Sequence, residues 1–214
     1  MLAPPASDHP DVLAQLDAAR IRYARIAPSR QLELGSSTLL DDVVGHAVAA
    51  HVLALGHRRV GIVKGDPGHA ATNARFQGYQ RAFEEAGCPM RDAWIETGLF
   101  TFDGGYAAGR RLLERGDRPT AVLVQNDAMA VGVMLATREL GLSIPDDLSI
   151  AGFDDAKVSR IAWPRLTTVR QPVFEMAVAA TDMLIADLES REGDRHTQHS
   201  NTLFIQDSTA PPRA

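Results

Sequence analysis

Apolar runs of strand length alternate with segments of helical period along most of this chain. Residues 60–63, after Gly56 and a basic turn, predict a short buried strand, and 93–96 a weaker one. Residues 120–124 and 148–153 are stronger strands, β-branched or apolar and entered through Pro119 and Pro145. Helical stripes lie between them. Val44, Val48, Val52 and Leu55 share one face and stop at Gly56; Phe76, Tyr79 and Phe83 form a second, ended by Gly87 and Pro89. Tyr106, Gly109 and Leu113 stop at Gly116, and Ala130, Val133, Thr137 and Leu140 stop at Gly141. Strand and helix alternating at this spacing predict right-handed βαβ units: an α/β fold with a mostly parallel sheet and helices on both faces. The simplest role for each stripe is core packing.

The two ends read differently. Val12, Leu13, Leu16 and Ala19 predict a short helix leading into a strand at 22–26, followed by a polar connection over 27–38. Phe174, Val178, Ile185 and Leu188 line one face of a later helix, and 202–206 reads as a last strand. Residues 190–200 are charged and polar and predict an exposed loop, and the Pro-rich tail 210–214 is expected to fray. Together the ends supply too little for an independent second lobe.

With 214 residues, 45% hydrophobic and 23% charged, the chain has the composition of a globular protein of one large domain or two small lobes. Its formal net charge of −5 argues against a surface built wholly to grip phosphates. No apolar stretch approaches the ~18 residues that suggest a membrane helix, and Asp8 and Asp11 leave no basic-then-apolar leader at the start. Cys88 is the single cysteine, and no Cys/His cluster has zinc spacing. The expectation is a soluble cytoplasmic protein without metal or cofactor.

In an open α/β sheet, ligands bind beyond the carboxyl ends of the strands. Reading those positions gives the loop 64–72 with Asn73 and Arg75, then Phe100 and Phe102, Asn126 and Asp127, Asp154 and Asp155, and Gln171. Arginine offers a fixed fork of donors, aspartate accepts from two adjacent hydroxyls, asparagine does both, and an aromatic face covers the apolar side of a sugar or base. Such a rim suits a hydroxylated small molecule. Duller roles stand beside each ligand role: Asp127 reads best as the N-cap of the following helix, Asp155 equally as a turn cap, and Asn126 as a loop brace. Catalysis finds little support. The pair Asp146 and Asp147 sits in a turn where neighbours point apart, and His46 and His51 are five apart rather than four. His57 reads as a helix-end residue, and 65–68 lacks the Lys-Ser/Thr of a phosphate loop. No nucleophile, base and orienter stand together.

Several segments carry a resemblance. Leu55-Gly56-His57-Arg58 ahead of a buried strand, Arg75-Phe76-Gln77-Gly78-Tyr79, and Pro119-Thr120-Ala121-Val122 followed by Asn126-Asp127 are three of them. Gly141-Leu142-Ser143-Ile144-Pro145-Asp146-Asp147 running into Gly152-Phe153-Asp154-Asp155, and Pro164-Arg165-Leu166-Thr167-Thr168-Val169-Arg170-Gln171-Pro172, are the others. Over about 40–172 the chain resembles the effector-binding core of LacI/GalR transcriptional regulators. The resemblance implies a periplasmic-binding-protein-like fold of two α/β lobes joined by crossovers near 39–42, near 169–171 and before the last strand. It further implies a homodimer with contacts near Val131 and 158–162, a small-molecule effector of the sugar class, and operator DNA bound only through a helix-turn-helix that this sequence lacks. The matching effector residues are Arg75, Asn126, Asp154, Phe100 and Gln171; Asn73 lies beside them on the rim.

Read this way, 1–40 is a remnant of an incomplete amino-side lobe and 41–170 a complete carboxy-side lobe. Residues 171–192 then form a helix returning to the first, and 200–214 the last strand and tail. The chain begins inside that first lobe, near its third strand. Ala27 stands where some members place an acidic contact, and Gln206 where an arginine is common. The alternative is a solute-binding protein of a transport system, which shares the fold but calls for an export signal.

Overall fold

The computed structural model describes residues 1–28, 36–39, 41–191 and 195–213. The elements run α1 (Pro10–Ala18), β1 (Arg25–Ile26), β2 (Ser36–Leu39), α2 (Asp41–Ala54), β3 (Val60–Lys64) and α3 (Ala70–Glu85). Next come β4 (Ile95–Thr97), α4 (Phe102–Leu113), β5 (Ala121–Val124), α5 (Asp127–Glu139) and β6 (Ser149–Ala151). The chain closes with α6 (Lys157–Ile161), β7 (Thr168–Arg170), α7 (Val173–Leu188), β8 (His196–His199) and β9 (Thr202–Phe204). Two compact units result. One comprises Met1–Leu40, His69–Ala71 and Pro172–Asn201; the other comprises Asp41–Gly68, Thr72–Gln171 and Thr202–Ala214.

The larger unit carries a parallel sheet in the order β4-β3-β5-β6. Every residue of β5 is buried, and its side chains alternate between two cores, as the period of a strand requires. Ala121 and Leu123 join Val48 and Val52 of α2 and Tyr79 and Phe83 of α3; Val122 and Val124 join Leu112 of α4 and Met129 and Val133 of α5. Helices therefore cover both faces. Gly56 ends α2 with a φ of +101°, a conformation that glycine adopts without strain. The strand expected at 93–96 is displaced, because Asp92–Trp94 forms one 3-10 turn and Trp94 is buried before pairing begins at Ile95. The closing strands depart from the parallel pattern: β7 and β9 pair antiparallel, with Thr168 opposite Phe204.

The smaller unit is a three-stranded parallel sheet, β1-β2-β8, with Leu2 bridging to Arg25. Its strands depart most from expectation. Of the polar connection over 27–38, residues 29–35 lie outside the described residues, while Ser36–Leu39 pairs as β2. The loop expected at 190–200 instead contains β8, whose His-Thr-Gln-His pattern gave no apolar signal; 192–194 of it lie outside the described residues. The strand at 22–26 shortens to Arg25–Ile26, where Arg25 is wholly buried, donating to the Ser7 carbonyl at 3.3 Å and lying 3.6 Å from Asp8.

Helix α7 turns the other way from the expected stripe. Met176, Ala180 and Met183 face the core, and Phe174 is 77% exposed alongside Val178, Ile185 and Leu188. The helix is apolar on two faces, and periodicity alone does not choose between them.

The tail is anchored rather than frayed. Ala210 donates its N–H to Ser149 Oγ at 3.0 Å, and its carbonyl accepts from His57 Nε2 at 2.8 Å. His57, expected at a solvated helix end, is buried, with Nδ1 2.9 Å from Thr120 Oγ1. Arg213 reaches Asp146 at 2.8 Å and Asp147 at 2.7 Å, so these two neighbouring carboxylates converge on one guanidinium instead of pointing apart. Ala214 lies outside the described residues.

Candidate functional site

The order β3-β5-β6 puts the carboxyl tips of three strands side by side, about 4.8 Å from one to the next. Arg75, on α3 beyond β3, is buried and donates to the Gln125 carbonyl at 2.7 Å. Its guanidinium lies 3.5 Å over the Phe153 ring, an arrangement that holds the fork at a fixed angle. Asp154, at the tip of β6, stands 4.0 Å from Arg75 with its side chain 35% exposed. Gln171, just after β7, donates its side-chain amide to the same carboxylate. The structure therefore gathers Arg75, Asp154 and Gln171.

Asn126 and Phe100 form the adjoining edge. Asn126 Oδ1 accepts from the Met129 N–H at 2.9 Å, so Asn126, not Asp127, is the N-cap of α5. Its Nδ2 donates to the Phe100 carbonyl at 3.2 Å. The Phe100 ring packs on the bare backbone of Gly65, where any Cβ would collide with it. Asn73 is not brought to this cluster: it is exposed near the start of α3, and two residues from Arg75 it leaves the helix on another face. Phe102 opens α4, 41% exposed.

Both tips are conformationally costly. Leu99 and Phe100 have φ of +54° and +60°, and Asp154 and Asp155 +116° and +51°, each worth roughly 1–3 kcal/mol of backbone strain. Asp155 does not cap a turn. It receives Arg160 Nη2 at 2.8 Å and Arg170 Nε at 2.6 Å. Burial alone would raise its pKa, yet the two guanidinium partners hold it below the ordinary carboxylate range.

Sequence reading missed three supporting groups. Gln125 is fully buried, accepting from the Gly65 N–H at 2.8 Å and donating to the Thr72 carbonyl at 2.9 Å, so one amide ties the 65–72 loop to the tip of β5. The available signal was an amide directly following a run of buried strand residues. Phe153 and Thr168 carried none, since an apolar strand end and a β-branched strand residue look like core. Asp127, the expected cap, is instead wholly buried and accepts from Thr168 Oγ1 at 2.6 Å and the Ala156 N–H at 2.8 Å. Burial pushes its carboxyl up to about 7, against those two hydrogen bonds and with the Asp154 and Asp155 charges adding to the rise.

Among the described residues no three His, Cys, Asp or Glu side chains are grouped to hold a metal ion, and no helix is long and apolar enough to cross a membrane. The rim brings together a guanidinium fork, a carboxylate 35% exposed, two carboxamides and an aromatic ring.

A parallel α/β layer with polar groups at its strand tips is the plan of a periplasmic-binding-protein-like domain, and a family model of that description matches residues 49–209. The HTH-type transcriptional repressor PurR of Yersinia pestis (strain Pestoides F) is 36% identical over 153 residues, covering 72% of this chain and 45% of that protein. The chain thus spans about half the length of the curated relatives it matches. A LacI-family regulatory protein from Chloroflexus aggregans superposes with a TM-score of 0.88 at 30% identity, covering 98% of this chain and 75% of that one. A LacI-family regulator from Enterococcus faecium, solved with bound ribose, gives 0.86 at 25% identity, covering 95% and 76%. The chain belongs to the periplasmic-binding-protein-like family, as the effector-binding domain type of LacI-family regulators.

Proposed function

We propose that this chain binds a small hydroxylated effector, of the sugar class, and serves a LacI-type transcriptional regulator. The observation that carries the reading is the convergence of Arg75, Asp154 and Gln171 on one rim, with the Asp154 carboxylate still half open. Asn126 and Phe100 extend it by a carboxamide and a ring, while Asn73 is left as an outer contact at most. Arg75 would grip ring or hydroxyl oxygens, Asp154 would accept from vicinal hydroxyls, and Phe100 would cover the apolar face. The bound ribose of the Enterococcus faecium relative and the cellobiose of a CelR complex support the ligand class.

An effector moves a regulator only by its differential affinity for two conformations, so rigid presentation of these groups sets how large the response is. The acidic balance of −5 fits a part that leaves operator DNA to a helix-turn-helix region of a longer protein, and the PurR relative is an HTH-type repressor. Homodimerisation is part of the proposal, and so is a cytoplasmic place of work. The named relatives are regulators, and the reading is of a binding domain rather than of an enzyme or a transporter.

The test is calorimetry of the wild type and Arg75→Ala against a panel of sugars and nucleobases. At least one sugar should bind the wild type, and removing the buried fork should weaken it at least tenfold, the scale of a charge-assisted hydrogen bond. Equal affinity in both proteins would remove Arg75 from the site, and binding confined to nucleobases would replace the ligand class.

A further inference from the structure

The buried carboxylate of Asp127 joins the two tips that bear Asn126 and Asp154. We infer that Asp127, as an anion, is a positioning residue that clamps the Asp154–Asp155–Ala156 turn to the start of α5, so that losing its charge loosens the candidate site and couples ligand binding to pH. This deepens the effector-binding reading and rests on it for the link to ligand.

The geometry is specific. Asp127 is the first residue of α5, next to the capping Asn126. Oδ2 accepts from the Ala156 N–H at 2.8 Å, and Oδ1 accepts from Thr168 Oγ1 at 2.6 Å. Thr168 Oγ1 in turn accepts from the Asp155 N–H at 3.3 Å. The carboxylate thus restrains two successive amides of a turn whose Asp154 and Asp155 both have positive φ. Gly152, at the end of β6, makes room: a Cβ there would come within 2.5 Å of Asp127 Oδ1. The charged groups around the turn are Asp154 and Asp155 themselves, Arg160 of α6 and Arg170 of β7, both on Asp155, and Arg75 of α3, 4.0 Å from Asp154.

The anion serves both straps best. A proton on Oδ2 would leave that oxygen a weaker acceptor for the Ala156 N–H. A proton on Oδ1 would force the Thr168 hydroxyl to stop donating, although it already accepts from the Asp155 N–H. A loosened turn that keeps the carboxyl desolvated but without its two hydrogen bonds holds a proton more firmly still, so protonation favours the loosened turn within the fold while also favouring the fold over the unfolded chain. Desolvation and two neighbouring carboxylates favour that proton enough for both states to be populated near neutrality.

Hydrogen–deuterium exchange of the full chain, corrected for intrinsic rates and read at the Asp155 and Ala156 amides between pH 6 and 8, tests the clamp without any ligand. Wild-type protection should fall roughly fivefold to tenfold from pH 8 to pH 6, following a single titration. In Asp127→Asn it should stay low and flat across that range. Thr168→Val, which removes one strap, should lower protection at Asp155 while leaving the pH dependence at Ala156. Equal pH dependence in wild type and Asp127→Asn, or protection unchanged from pH 6 to 8, overturns the proposal. Ribose titrations at the same pH values read the coupling: affinity should weaken toward pH 6 in the wild type and not in Asp127→Asn. Absence of ribose binding at any pH would count against the ligand class, whereas the exchange data would still decide the clamp.

Discussion

His57 shows how much a single side chain does away from the candidate site. Buried beside Thr120 and Ser149, it donates to the Ala210 carbonyl and so is one of the anchors of the terminal segment. Burial lowers its pKa below the usual histidine value, more than the Ala210 bond raises it. A histidine depressed in the fold supplies stability above its unfolded pKa of about 6.5, and loses it as pH falls through the lower folded value. Thermal unfolding of wild type and His57→Gln should therefore show a wild-type advantage at pH 7.5 that shrinks by pH 5. A constant difference across that range would mean that His57 acts through packing alone. Asp127 has the opposite sign, because a raised carboxyl favours the protonated fold, so its own contribution weakens stability as pH rises from about 4 to about 7. Comparing each protein with its own variant separates the two.

At the scale of elements, α7 makes the sharpest statement. Met183 is buried on α7, which packs on β1 and β2, and Ile185, two residues on, is 41% exposed. Met183→Ala should cost about 2–4 kcal/mol in urea denaturation and Ile185→Ala no more than about 0.5 kcal/mol. Equal costs would mean that the helix presents a different face. The four-stranded sheet was largely legible beforehand, since strands buried on both faces must be apolar throughout and their helices must be amphipathic. β2 and β8 were not. Ser-Ser-Thr-Leu and His-Thr-Gln-His carry no apolar run, and their strand form depends on parallel partners that lie far away in sequence.

At the scale of the molecule, exposed apolar groups on the larger unit bear on assembly. Ile161 and Trp163 are 73% and 74% exposed beside α6, and Leu135 on α5 is 39% exposed. Tryptophans left in solvent at this level commonly anchor interfaces. Light scattering at micromolar concentration should read twice the 23.1 kDa chain mass, and Trp163→Glu should return it toward a single chain. A wild-type monomer would withdraw the homodimer from the proposed function.

Taken alone, the order of apolar runs was enough to set the α/β class and where the strand tips fall, because burial and backbone period act locally and leave their mark on neighbouring letters. The structure left Asn73 outside the cluster and exchanged the roles of Asn126 and Asp127. It also revealed Gln125, Phe153 and Thr168 as the groups behind the rim. The groups behind the rim depend on side chains that meet across 41 to 78 residues of chain, from Thr168 on Asp127 to Phe153 under Arg75 (153 − 75 = 78), where a buried polar atom must find its partner in space. Linear spacing cannot encode that choice, because hydrogen bonding is decided by distance and angle in the folded chain.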